Sequence, residues 1–230
     1  MSDGQPDASG LIHARVYDAL KSAIMAGRFI PGRGVTLRGI AEELGVSPMP
    51  VREAIRRLEA ERALEVGSNR RVYVPKMTPA KFDELVTARC LLETEAAARA
   101  MPMIDMADVR ALEEVDRRID DAIARGDAEA YVVNNHAFHF NIYRAAPSTV
   151  LVPLIEVLWL QFGPFMRTVY GRLGTARLID NHVETVKALA KQDEQALRAA
   201  IKADILDGMN IIGKMLLESA EDESAQESAV

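Results

Sequence analysis

Two guanidinium groups stand on one face at the start of a short helix. Ser47, Pro48, Met49, Arg52 and Arg56 occupy its outward positions, with Arg52 one turn in. A guanidinium placed there can fork onto the O6 and N7 atoms of a guanine or clamp a phosphate. Arg38 lies on the preceding helix, within reach of a DNA backbone or groove edge. Arg70 and Arg71 close the run Gly67-Ser68-Asn69-Arg70-Arg71, a hairpin-tip composition suited to resting on phosphate or the minor groove. Taken singly, each of these arginines is equally compatible with a solvated face. Arg89 poses a different problem. It falls among Leu85, Val86 and Leu92 with Glu93 one turn on, and a charge among apolar neighbours needs a partner. An Arg89–Glu93 pair at a helix surface is the simplest answer.

The elements that must position these groups follow from periodicity and caps. Leu11, Val16, Leu20 and Ile24 recur at helical spacing up to Gly27, and Pro31-Gly32 makes a turn. Thr36 caps a short helix whose apolar face is Leu37, Ile40, Ala41 and Leu44, and Gly45 ends it. Ser47 caps a third helix with Pro48 at its first position and Val51, Ile55 and Leu58 inward. Helix, tight turn, helix is the helix-turn-helix arrangement, which sets the N-terminal residues of its second helix into the major groove. Two β-rich pieces, residues 63–66 and 72–74, supply a wing. A break at Val74-Pro75-Lys76-Met77 precedes a helix opened by Thr78-Pro79, and we place a domain boundary there. Beyond it the periodicity is helical throughout, with helices expected near residues 78–101, 105–125, 127–146, 149–169, 175–191 and 193–218. The fold class is therefore mainly α: a winged helix-turn-helix over residues 11–76 and an all-helical antiparallel bundle over residues 77–218. The small, polar ends, residues 1–10 and 219–230, are read as disordered.

Composition agrees with two unlike halves. The net charge is −6, yet residues 1–76 carry 12 Lys and Arg against 9 Asp and Glu, while the rest carries 16 against 25. A mildly basic module beside an acidic one suits a nucleic-acid reader joined to a domain with another task. Cys90 is the single cysteine, which excludes an intrachain disulfide. The most apolar stretch, residues 150–166, is broken by Pro153, Glu156, Gln161 and Pro164, so no membrane span is expected. The N-terminal residues lack the basic and apolar regions of a signal peptide. A cytoplasmic protein is the expectation.

The run ALKSAIMAGRFIPGRGVTLRGIAEELGVSPMPVREAIRRLEAERALEV resembles the GntR family of bacterial regulators, above all in AGRFIPG, LGVS and PVREAIRRLEAE. That resemblance covers residues 11–76 and implies contacts to double-stranded, palindromic operator DNA at Arg38, Ser47, Pro48, Met49, Pro50 and Arg52, plus the wing. Two departures stand out: Pro48 where many members have arginine, and Arg71 where the wing tip usually has glycine. Residues 88–100, 135–143 and 181–204 resemble the all-helical effector domain of the FadR subgroup. Many members of that subgroup hold a divalent metal with one Asp and three His. The matching positions here are Asn135, His139, His182 and Asp204, so Asn replaces the usual Asp and Asp204 a usual His. Asn135 and His139, four apart, share a helix face, and the set suits zinc, nickel or manganese. The resemblance further implies that Arg89 grips the carboxylate of a small acid effector, with Arg167 and Tyr170 as further pocket candidates. His136 points away from His139, and the stripe Phe138, Trp159, Phe162 and Phe165 is assigned to core or dimer interface. The expectation is a homodimeric, ligand-responsive transcriptional regulator and no enzyme. The alternatives are a metalloenzyme with an accessory DNA-binding domain, and a DNA-binding dimer that senses nothing.

Overall fold

In the computed structural model the described residues are 8–173 and 181–227, with side chains described for 10–166, 181–210 and 213. The chain divides into two compact units. The first runs through Lys76 and includes Trp159–Pro164, and the second holds the rest from Met77.

In the first unit, α1 (Ala8–Met25), α2 (Leu37–Leu44) and α3 (Pro48–Ala60) enclose a core of Val16, Leu20, Ile24, Ile40, Val51, Ile55 and Leu58. Thr36 caps α2 as expected, accepting from the Gly39 amide at 3.0 Å. Gly45 closes the helix at φ +64°, a left-handed conformation that L side chains resist, and this lets the chain turn sharply into α3. Ser47 holds the N-cap position of α3, but its side chain makes no capping hydrogen bond. The helix start rests instead on Pro48, whose fixed φ suits the first helical position.

The wing is a three-stranded sheet in the order β1-β3-β2, formed by β1 (Val35–Thr36), β2 (Glu65–Val66) and β3 (Arg71–Tyr73). β1 pairs antiparallel with β3 through Val35 opposite Val72. Sequence alone did not show this strand, because two residues display no alternation. Gly34 lies before it, and a Cβ there would come within 2.5 Å of the Tyr73 ring.

From Met77 onward the described elements are helices: α4 (Pro79–Ala100), α5 (Met106–Arg125), α6 (Ala128–Tyr143), α7 (Leu151–Leu173), α8 (His182–Lys191) and α9 (Glu194–Glu227). Thr78 caps α4 through the Lys81 amide. Asp105 and Asp108 form a reciprocal capping box at α5, and Gly126 ends that helix at φ +68°. α4 packs on α9 and α6, α5 on α6 and α8, and α8 on α9. α9 continues to Glu227, past the expected end near residue 218. The segment is polar but rich in Ala, Glu and Gln, which favour helix without needing a core. Phe138, Trp159, Phe162 and Phe165 are all buried within the single chain. No helix among the described residues is long and apolar enough to cross a membrane.

Candidate functional site

On α3, Ser47, Pro48, Met49, Arg52 and Arg56 face outward while Val51, Ala54, Ile55 and Leu58 are buried. Pro50, expected among the DNA-facing residues, is buried, so its side chain belongs to the core of the first unit. Arg38 is exposed and held by Glu42 at 2.8 Å, a surface pair that a phosphate can displace at little cost. In the wing, the left-handed residue is Arg70, at φ +60°, with the turn closed by its amide on the Gly67 carbonyl at 2.9 Å. The glycine-like position is therefore Arg70 and not Arg71. Arg71 lies in β3 and reaches the Gly34 carbonyl at 3.1 Å. Helix α3 is braced from behind: the Tyr17 hydroxyl of α1 lies 2.8 Å from both carboxylate oxygens of Glu61. Arg57 stacks over the Tyr17 ring at 3.7 Å.

In the helical unit, a continuous chain of polar side chains runs through the interior. Arg89 and Glu93, one turn apart on α4, bond at 2.6 Å and are only 4% and 0% exposed. The pair expected at a surface is thus buried. Solvent loss acts against the Arg89 charge, but Glu93 outweighs it and raises the guanidinium pKa. Glu93 also accepts from the Tyr143 hydroxyl of α6 at 2.9 Å. Burial, then the negative charge of Glu93, push the phenol well above its ordinary value, so it keeps its proton. Tyr143 oxygen lies 3.2 Å from His139 Nδ1. His139 Nε2 meets Asp204 of α9 at 3.1 Å, and His182 Nε2 of α8 approaches the same carboxylate at 3.7 Å. His182 Nδ1 bonds Asp116 of α5 at 3.0 Å, and its ring stacks on Phe138 at 4.0 Å.

The tautomers follow from this chain. Tyr143 spends its one proton on Glu93, so it accepts from His139 Nδ1–H, and Asp116 accepts from His182 Nδ1–H. Both Nε2 atoms are thereby turned toward one carboxylate. An imidazole nitrogen and a carboxylate oxygen this close are held together by a proton or a cation between them. One donor atom from each of His139, His182 and Asp204 lies within 4.8 Å of the others. Burial opposes the charge of Asp204, but the His139 bond, both imidazoles and the Asn181 amide hold its carboxyl well below the usual range. The residues fit a divalent ion: two imidazoles and a carboxylate, each imidazole oriented through its other nitrogen. Asn135 is buried one turn before His139 on α6. His136 is half-buried and stacks on Phe140 at 4.1 Å. The side chains of Arg167 and Tyr170 lie outside the described residues. Tyr143 also lines a cavity of about 210 Å³ with Ala96, Arg99, Ser148 and Thr149.

Residues 12–74 match the bacterial regulatory proteins of the gntR family, and residues 84–207 match the FCD domain. The HTH-type transcriptional regulator McbR of Escherichia coli K12 is 31% identical over 80% of this chain and 85% of its own. The chain belongs to the GntR family. Like its relatives, this GntR protein is a DNA-binding transcriptional regulator with a helical FCD domain. The solved structure of E. coli McbR/YncC superposes with a TM-score of 0.84 at 28% identity, covering 89% of this chain and 98% of that one. The gluconate operon transcriptional repressor of Bacillus subtilis is 26% identical over 78% of this chain and 76% of its own. The Exu regulon transcriptional regulator of E. coli K12 is 27% identical over 79% and 77%. These relatives are named as regulators and not as enzymes. In this GntR regulator Asp116 and Tyr143, which orient the two imidazoles, were not singled out from the sequence. Only their partners across 66 residues and one helical turn reveal them.

Proposed function

We propose that the chain is a homodimeric, ligand-responsive repressor that binds a palindromic operator and is controlled by a small carboxylate held in its FCD domain. One observation carries this reading: the convergence of His139 Nε2 and His182 Nε2 on Asp204, with each imidazole locked by Tyr143 or Asp116. His139, His182 and Asp204 hold a divalent transition metal in this reading, with zinc, nickel and manganese as candidates and Asn135 as a weaker amide neighbour. The ion supplies a Lewis-acidic partner for an effector oxygen. Tyr143 and Asp116 keep both imidazoles in the metal-binding tautomer. Arg89, paired with Glu93 in the same interior, is in this reading the residue that receives the effector carboxylate. The cavity beside Tyr143 offers a small molecule an approach to this polar chain. A relative named for a gluconate operon supports both the repressor role and a small acid, gluconate itself being a carboxylate.

On the DNA side, Arg52, Arg56, Ser47, Pro48 and Met49 read the major groove, and Arg38, Arg70 and Arg71 hold the backbone or minor groove. Two-fold symmetry follows from the way helix-turn-helix dimers read paired half-sites. Effector binding changes operator affinity by shifting the population of conformers. Elemental analysis of chain purified without added metal or chelator is expected to give about one divalent ion per chain, lost in His182→Ala. Chain that is metal-free and resists reloading with zinc, nickel or manganese would overturn the metal assignment.

A further inference from the structure

The tip of the reading helix is apolar, and that has a consequence for the operator. In the first turn of α3, Pro48 is exposed and Met49 is 61% exposed, whereas Pro50 and Val51 turn inward. The nearest arginine on the outward face, Arg52, comes a turn later. Met49 does not belong to the apolar stripe of α3, which is Val51, Ile55 and Leu58. Its neighbours three and four residues on are Arg52 and Glu53. Glu53, the acid on this side, lies 3.1 Å from His13 of α1. Single exposed methionines are ordinary on protein surfaces, but this one stands where a helix-turn-helix meets base edges.

A thioether has no hydrogen-bond donor and only a weak acceptor. It therefore cannot tell guanine, adenine or cytosine apart by the donor and acceptor pattern of the major groove. The one apolar group displayed there is the C5-methyl of thymine. Methionine, unbranched and polarizable, can settle on such a group from several angles. We propose that Met49, with Pro48 beside it, reads a thymine methyl in each operator half-site. The proposal rests on α3 being the reading helix and adds which base its tip selects.

The test uses the full chain and a duplex selected by that chain from a random-sequence pool. Each thymine in the duplex is replaced singly by deoxyuridine, which removes the methyl and leaves every hydrogen-bonding group. One position per half-site is expected to weaken binding about fourfold, the effect of losing one buried methyl-sized contact. In Met49→Ala that position is expected to become insensitive to the replacement, while binding to the thymine duplex falls by a similar factor. Insensitivity of the wild-type chain at every thymine would overturn the proposal, as would an equal loss in wild type and Met49→Ala. Arg52→Ala separates the two layers. If it and Met49→Ala both bind the selected duplex as tightly as wild type, α3 is not the reading helix and the methyl contact falls with it. If it binds weakly while deoxyuridine has no effect on wild type, only the thymine assignment fails.

Discussion

Replacing Glu93 with alanine is expected to lower the stability of the helical domain by about 3–5 kcal/mol, the range for removing one member of a buried ion pair. The reason is in the surroundings of Arg89. Its side chain is 5% exposed, and the bond to Glu93 at 2.6 Å outweighs the solvent it has lost. Without Glu93 the guanidinium stays charged in a buried interior, with the Met209 sulfur 3.5 Å from Nη1. Tyr143 loses its acceptor in the same step, and a buried hydroxyl without one carries a further penalty. Glu93→Gln, which keeps size and an acceptor, should fall between. Glu95 on the same helix, a half-exposed acid that pairs with Arg99 and Arg198, is the internal control, since screening by water leaves such pairs with little net effect. Urea denaturation of the three variants, following the helical domain, reads the difference. Equal midpoints for Glu93→Ala and Glu95→Ala would show that the buried pair does not support the fold.

Arg52→Ala is expected to cost about 1–3 kcal/mol of operator affinity, roughly five- to 150-fold, with no loss of fold because the side chain is exposed. A lysine in its place should not restore binding if the contact is a fork onto guanine, because an ammonium lacks the paired donors. Salt decides between the two possible contacts. A phosphate clamp predicts a uniform loss across sequences and a salt slope shallower by about one. A base contact predicts that discrimination relaxes at one position of each half-site while the salt slope is nearly kept. Binding isotherms at several salt concentrations, on the selected duplex and on single-position variants, separate these outcomes. Unchanged affinity for the selected duplex would remove Arg52 from the interface.

Much of this fold was legible because its signals are local. Thr36, Gly45 and Pro48 each mark an element end by their own backbone chemistry, and all three act within the helix-turn-helix. The capping of α4 by Thr78 was equally local. What was not legible depends on tertiary contact. β1 is two residues long and exists through pairing with β3 across the wing. The Arg89–Glu93 spacing was visible, but its burial depends on the helices packed around α4. Asp116 looks like one acid among several on an amphipathic helix until His182, 66 positions later, folds onto it. Pro50 sits within an outward-facing motif and is nevertheless buried, since a helix turns its third residue well away from its first. The exchange of residue types at positions 135 and 204 was visible from resemblance. The use of Asp204 as the point where both imidazoles meet came only from the geometry.

The central claim is that the polar interior of the FCD domain governs operator binding. Titrating small carboxylates into metal-loaded chain on its selected duplex tests it most directly, with His182→Ala measured in parallel. The account predicts that at least one acid changes the operator dissociation constant by about fivefold or more, the lower end of ordinary allosteric coupling, and that the change disappears in His182→Ala. An acid that binds tightly to the wild-type chain and leaves operator affinity unchanged would contradict it.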